Sequence, residues 1–535
     1  MQMKSKWAGA AMLGLMVGAS PALAQQPTME ELMRRIDALQ QRVNELERER
    51  RPQRPAAVAA PAPAPAPAPA APTRAAAPRT APAAAAPVTA AAVPAPRSPE
   101  TVRAEVDEAL RGSLDGLAMR IPNTDTTVRL YGFLRLTAYR DFNARNPTDA
   151  ASVQGIPLSG GNTQPGDGDI TARSSRFGFD TRTDTDWGRL DTTIEGDFRG
   201  DASGDLAYRL RQAFAELTRD DWSYLIGQTN SLWNEGLTEA MHDATNLNQS
   251  FIRQAQLRVT HRFDSNLMLQ GSIEAPFSDI LTSNGARFPT DRFDGGARSA
   301  AFDQMPDFLA RLTWRDGAEE YVLRGLFRQL SLEPDGAAPG PGNDRFSGGP
   351  SESTFGWGLA AHTRLPLGKW ISALGRDELM LMGYYGEGIG RYFAGNTFGQ
   401  SAITDLSTAT RMDYSLESVP TYGGTIGYRR FWSDFVRSTV SYAYARQDYP
   451  SSIRFGAGTA GALARNREMQ QVIANLIWSP FADRPTSRMP FGWLDLGLEY
   501  VFSRRDLEDG AAAAGANGVG HGIANRLLAV GIVRF

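Results

Sequence analysis

Covalent catalysis and metal chemistry need a nucleophile, a base or a ligand cage at fixed spacing, and this sequence offers none. Its four histidines, His242, His261, His362 and His521, fall in no H-E-x-x-H pattern, so no metal-binding pair on one helix face is encoded. There is no Gly-x-Ser-x-Gly elbow and no phosphate-binding Gly-rich loop. With no Cys, thiolate nucleophiles, disulfides and thiolate metal sites are excluded. A Ser/His pair that meets only in space is the one hydrolytic arrangement left open. No catalytic residue, metal or cofactor is therefore expected. The chemically active side chain present in quantity is arginine. Of the 56 basic residues only Lys4, Lys6 and Lys369 are lysine. GC-rich coding explains that frequency, so only the placement of the arginines argues function. The formal net charge of −3 provides no overall basic field for nucleic acid.

The elements that must position these arginines change character along the chain. Residues 1–24 read as a secretory signal peptide. Lys4 and Lys6 form its positive end, Trp7 to Val17 its apolar stretch, and Ala22-Leu23-Ala24 its cleavage site. Residues 25–50 carry a periplasmic coiled-coil seam at Met29, Leu32, Ile36, Leu39, Val43 and Leu46, spaced alternately three and four apart. Thr28 and Glu31 form a capping box at its start. An amphipathic helix packed on its own domain is the alternative. Residues 51–99 form an Ala/Pro-rich disordered linker that cannot build a core; fully extended it reaches ~150 Å. Residues 100–122 contain a second amphipathic helix, with Val102, Val106, Leu110, Leu114 and Leu117 on one face, ending near Pro122.

From 123 to 535 the pattern is period two, in about 16 segments of alternating character. Leu190, Thr192, Ile194, Gly196 and Phe198 share one face, with Asp191, Thr193, Glu195 and Asp197 on the other. Short links such as Thr183 to Trp187 alternate with long polar loops, and Trp187, Trp222, Trp314, Trp432, Tyr449 and Trp478 fall at segment ends, where an interfacial girdle would lie. No stretch after the signal is apolar enough for a membrane-spanning helix, so a membrane-embedded form must be a closed barrel. The fold expected is all-β: a 16-stranded antiparallel transmembrane β-barrel, preceded by the short coiled-coil helix and the Ala/Pro-rich linker. An even strand count leaves both termini on the periplasmic side of a bacterial outer membrane. The alternating run Leu527, Ala529, Gly531, Val533, Phe535 ends on a terminal Phe, similar to the recognition signal of outer-membrane barrel assembly.

In such a barrel a lipid-facing Arg costs ~2–4 kcal/mol at the midplane, so arginines opposite an apolar face point into the lumen. This assigns Arg129, Arg135, Arg176, Arg182, Arg209, Arg211, Arg258, Arg311, Arg324, Arg328 and Arg429 to the pore wall, with Tyr208, Leu210 and Phe214 outside. Inward arginines favour anions. The alternative is that each pairs with a lumen carboxylate such as Asp180, Asp191, Glu195, Asp197, Glu274 or Asp495. Arg135, Arg176, Arg209 and Arg211 are the best candidates for an anion-selecting wall. The polar insert after the fifth strand carries Asn234, Glu235, Glu239, His242 and Asp243. It either folds inward as a constriction or stays a surface loop.

Several runs resemble the DcaP-like trimeric outer-membrane porins. They are Ile121 to Leu136 (IPNTDTTVRLYGFLRL), Arg173 to Phe179 (RSSRFGF), Ile194 to Phe198 (IEGDF), Arg209 to Phe214 (RLRQAF) and Gly227-Gln228-Thr229. They fall in the first five strands in family order, and the preceding coiled coil fits too. The resemblance implies a homotrimer of 16-stranded barrels in outer-membrane lipid, a periplasmic coiled coil, and uptake of small anionic solutes such as dicarboxylates. Two features depart from it. β-Branched residues at a with Leu at d lean toward a two-stranded coil, and the linker is unusually long. The function expected is an outer-membrane porin for passive diffusion of small hydrophilic solutes. The alternative is a structural protein tethering the outer membrane to the cell wall through the coiled coil and linker.

Overall fold

The computed structural model describes residues 117–146, 152–200, 207–241, 246–287, 301–333, 351–393, 400–404, 415–486 and 489–535. The signal peptide, the coiled-coil seam and the linker lie outside the described residues, as do His242 and Asp243. Sixteen long strands follow one another as antiparallel neighbours. They are β1 (Thr126–Asp141), β2 (Arg176–Thr185), β3 (Gly188–Asp197), β4 (Arg209–Arg219), β5 (Trp222–Asn230), β6 (Arg253–Arg262), β7 (Leu267–Glu274) and β8 (Asp307–Asp316). Then come β9 (Glu319–Leu332), β10 (Glu352–Pro366), β11 (Glu378–Glu387), β12 (Pro420–Phe431), β13 (Val436–Gln447), β14 (Asn466–Trp478), β15 (Leu494–Leu507) and β16 (His521–Arg534). The alternation dictates this arrangement. Leu134, Leu136, Ile194, Ile226, Leu257, Leu323, Leu359, Leu476 and Leu498 are all exposed on the outer face, which only hydrocarbon would cover.

The barrel closes where β1 pairs with β16, from Phe133↔Arg534 to Asp141↔Arg526. The backbones of Phe535 and Gly132 then exchange two 3.1 Å hydrogen bonds. Below that point β16 has ended, and a short strand, Leu117–Arg120, takes its place beside β1 (Leu117↔Leu130 to Arg120↔Thr127). The lead-in expected to be helical down to Pro122 is therefore extended from Leu117. The strand edge of β1 needs backbone partners there, and that need outweighs the helical spacing of the apolar residues.

Near the far end of the seam, Arg526 donates to both Asp141 oxygens at 2.7 and 2.8 Å and stacks over Tyr139, with both charged groups buried. Asp141→Ala leaves that guanidinium without its counter-charge. We expect a loss of about 3–5 kcal/mol, read as an earlier loss of the heat-resistant folded band on gels.

Links on the side of the termini are mostly tight. Asp220 and Gly317 take left-handed conformations (φ 51° and 61°) at two-residue hairpin turns. Two links there are longer, 367–377 and 479–493, contrary to a uniformly short-turned end. Trp187, Trp222, Trp314, Trp432 and Trp478 are exposed on this side, as a girdle requires. Tyr449 is not part of it. It is buried with Ile453, Phe455, Leu281, Ile403 and Leu507 in an apolar cluster among the opposite loops. Those loops also form a small four-stranded sheet from Ile280–Thr282, Gly285–Arg287, Ala402–Ile403 and Glu417–Ser418. Adjacent long loops are thus fused into one roof over part of the barrel mouth.

Candidate functional site

Residues 231–241 and 246–252, between β5 and β6, run along the inner wall. They are fixed at each step by a different strand. Leu232 N donates to Glu274 on β7 (3.0 Å), and Met241 N to Glu499 on β15 (2.6 Å). Leu247 N donates to Gln471 on β14 (2.8 Å). Asn248 donates to the backbone carbonyls of Gly424 and Tyr444 and accepts from Tyr384, spanning β11, β12 and β13. Partners so far apart around the barrel can meet one loop only in the lumen.

The wall under this loop is not polar, which corrects the expectation of a wholly polar interior. Leu309, Leu326, Ala360, Met380 and Met382 face inward and pack with Leu232, Trp233, Leu237 and Leu247 of the loop. Met241 packs on Ile473, Ile477, Val501, Leu528 and Val530. Each buried side chain of this size contributes roughly 1.5–3 kcal/mol, so the loop is a packed layer and not a flap. The inner surface of β1–β7 is polar, and polar side chains also face inward on the later strands, among them Arg437, Thr439, Gln471, Asn475, Glu499 and Ser503.

On β1–β7 most arginines are matched by acid. Arg129 pairs with Asp180, Arg176 with Glu195 (3.2 Å) and Arg182 with Asp191 (2.9 Å). Asp197 receives Arg209 (2.9 Å) and Arg211. Arg135 is buried, and its backbone N–H donates to Ser175. The proposed wall of Arg135, Arg176, Arg209 and Arg211 is therefore interleaved with carboxylates. A register shift between Glu195 and Gly196, opposite β4, also puts Phe214 on the inner face, beside Thr193. An unbroken alternation from Tyr208 had placed it outside. Farther round, Arg328 is buried between Asp279 and Asp307, and Arg429 bonds Glu378 (2.8 Å) and Glu239 (3.3 Å).

The arginines under the first arm of the loop differ. Arg258 donates to Asn230 O, Arg324 to Trp233 O and Arg311 to Asn234 O, while Arg364 reaches Gly236 O and Leu237 O. Three of these guanidiniums thus grip the loop by its main chain, and Arg258 holds the end of β5 just before it. Arg311 and Arg324 stand directly opposite on β8 and β9, a pairing of like charges that is unfavourable by itself. Glu235 neutralises Arg324 (3.0 Å). Among the described residues, Arg258, Arg311 and Arg364 form no salt bridge with a carboxylate, and their hydrogen bonds go to main-chain carbonyls and, for Arg258, to the Gln256 side chain as well.

Of the other loop residues singled out from sequence, Asn234 and Glu239 are anchors. Asn234 ties the two arms together through Ser250 (2.6 Å) and Ile252 O (2.9 Å). Glu239 is clamped by Arg437 (2.7 Å) and Arg429. Sequence reasoning missed Arg364 and Arg437, although both oppose outward residues on their strands and the same alternation would have found them. Nothing local marks Trp233 or Asn248.

Burial pushes the Glu235 carboxyl up, against the pull of the Arg324 guanidinium. Glu235 thus protonates above the ordinary carboxylate range. The folded state then binds this proton more tightly than the unfolded chain, so its contribution to stability grows as pH falls through that range. Protonation also removes one negative charge beside the three acid-free arginines. Preference for anions should accordingly rise on acidification, and the step should vanish in Glu235→Gln. Reversal potentials measured across a pH series check this.

The closed 16-stranded barrel, with its apolar outer belt, polar inner sector and lumen-seated loop, has the fold of the porins, and the chain is an outer-membrane β-barrel protein. Residues 115–314 match the model of the DcaP outer membrane protein family, and the chain is DcaP-like over that stretch. Among solved structures it is similar to the outer membrane channel DcaP of Acinetobacter baumannii, with a TM-score of 0.57 and 21% identity over 77% of this chain and 97% of that one. OmpT of Vibrio cholerae aligns over 78% of this chain and 99% of its own, with a TM-score of 0.44 and 9% identity. No curated protein matches the chain.

Proposed function

We propose that this protein is a non-enzymatic outer-membrane pore through which small hydrophilic solutes diffuse passively, anions being favoured and dicarboxylates among them. The observation that carries this reading is the acid-free arginine set Arg258, Arg311 and Arg364 beside the loop. Elsewhere on the wall the guanidiniums of Arg176, Arg182 and Arg209 are offset by acid. The lumen-seated loop acts as the constriction. Weak, exchangeable contacts with those three cations hold an anion without trapping it. The protein works as a homotrimer, and the segment before residue 117 lies in the periplasm.

Planar-bilayer recording of purified protein under a KCl gradient tests this. Stepwise conductance with a reversal potential toward that of chloride is the expected result. Cation selectivity would overturn the anion reading, and a folded barrel without conductance would overturn the pore.

A further inference from the structure

The outer wall carries a hollow that the pore does not use. At its floor Ala310 on β8 lies between Gly271 on β7 and Gly325 on β9, in register with both. The row has almost no side-chain bulk. Around it stand Ile226, Leu257, Ile273, Phe308 and Phe327, between 41% and 62% exposed, enclosing about 890 Å³ of apolar space. The hollow begins at Tyr224, two residues from the Trp222 girdle, and rises toward mid-barrel. Trp222 there stacks on His261 (4.2 Å between ring centres). In register with Trp222, at the same end of β4, is Arg219. Its side chain is 66% exposed and its nearest carboxylate, Asp220, is 3.9 Å away.

We infer that this hollow seats one acyl chain of a phospholipid from the periplasmic leaflet, with the phosphate at Arg219. Apolarity alone does not select an occupant inside a bilayer, because lipid tails are as apolar as leucine. Shape and charge do. The hollow offers a tail contact on its floor and both flanks, where the flat belt offers one side only. A guanidinium at the headgroup level, on the side of the termini, matches a phosphate approaching from that leaflet.

Two glycines make the site testable without strain. A Cβ added at Gly271 meets nothing within 4 Å, and at Gly325 the nearest atom is Leu359 Cδ2 at 3.8 Å. The double variant Gly271→Leu/Gly325→Leu fills the floor in an unstrained backbone. Native mass spectrometry of the purified oligomer, with added dioleoyl phosphatidylglycerol or lipopolysaccharide, reads occupancy. The expected result is one retained phospholipid per barrel, a loss of about tenfold in retention in the filled variant, a smaller loss in Arg219→Gln, and unchanged conductance in both. Equal retention in the filled variant, or retention of lipopolysaccharide alone, would overturn the inference. So would a changed oligomeric state with unchanged lipid, which would make a second copy the occupant. If the filled variant gives no folded band, a phospholipid with a photoreactive acyl chain is used on the unaltered protein. Labelling concentrated in 253–274 and 307–327 supports the site, and labelling spread evenly round the barrel overturns it.

Discussion

Replacing Arg258, Arg311 and Arg364 together by glutamine should lower chloride occupancy of the pore by about 20-fold at low ionic strength. A unit charge ~7 Å from the permeation path contributes about 0.6 kcal/mol even at the dielectric constant of water. Three such charges sum to ~1.8 kcal/mol, a factor of about 20. The effect should shrink as salt rises, since the Debye length falls from ~30 Å at 0.01 M to ~3 Å at 1 M. Neutralising Arg176, Arg182 and Arg209 together with their partners Glu195, Asp191 and Asp197 should do far less, because no net charge is then removed. Reversal potentials at two salt levels separate the sets. Equal effects from both would sink the view that acid-free arginines set selectivity.

Trp233→Ala should loosen the loop and raise single-channel conductance while leaving the barrel closed. Trp233 is 1% exposed and meets Tyr392 and Phe393 edge-on, with Arg324 over its ring at 5.4 Å. Truncating a buried Trp costs about 3–5 kcal/mol, comparable to what one turn of the loop gains from its seat. The strand ladders do not pass through Trp233, so the cost falls on the loop. Open-channel current should increase and grow noisy, with an unchanged heat-modifiable band. Unaltered current with a lowered unfolding temperature would show instead that the loop's other anchors suffice.

The strands were legible because the alternation is enforced by lipid on one side. The expected count of about 16 alternating segments matches the sixteen long strands of the barrel. What eluded the sequence is what depends on register between strands. Arg182 and Asp191 face each other across a hairpin, as do Arg209 and Asp197. Neither pairing is encoded in spacing along one strand. A single bulge on β4, at Arg211, was enough to misplace Phe214. The apolar inner wall was hidden for another reason. Met380, Met382 and Tyr384 alternate with exposed Leu381, Gly383 and Tyr385, so both faces read as apolar and only the loop's position tells them apart. The inward course of 231–241 and 246–252 rests on contacts such as that of Met241 with Glu499, 258 positions away.

The short strand Leu117–Arg120 bears on how the barrel finds its last pairing. Its partners on β1 are close in sequence, Arg120 facing Thr127, so the hairpin closes a small loop and forms quickly. The seam must instead unite Arg526 with Asp141, 385 positions apart, and is the slow step. When β16 arrives, the edge of β1 from Thr127 to Leu130 is already taken. A slip of β16 by two residues toward the termini would keep its apolar face outward and escape the usual penalty for a wrong register. The occupied edge forbids that slip, and Phe535 comes to rest against Gly132. The lead-in strand thus serves as a doorstop that proofreads closure.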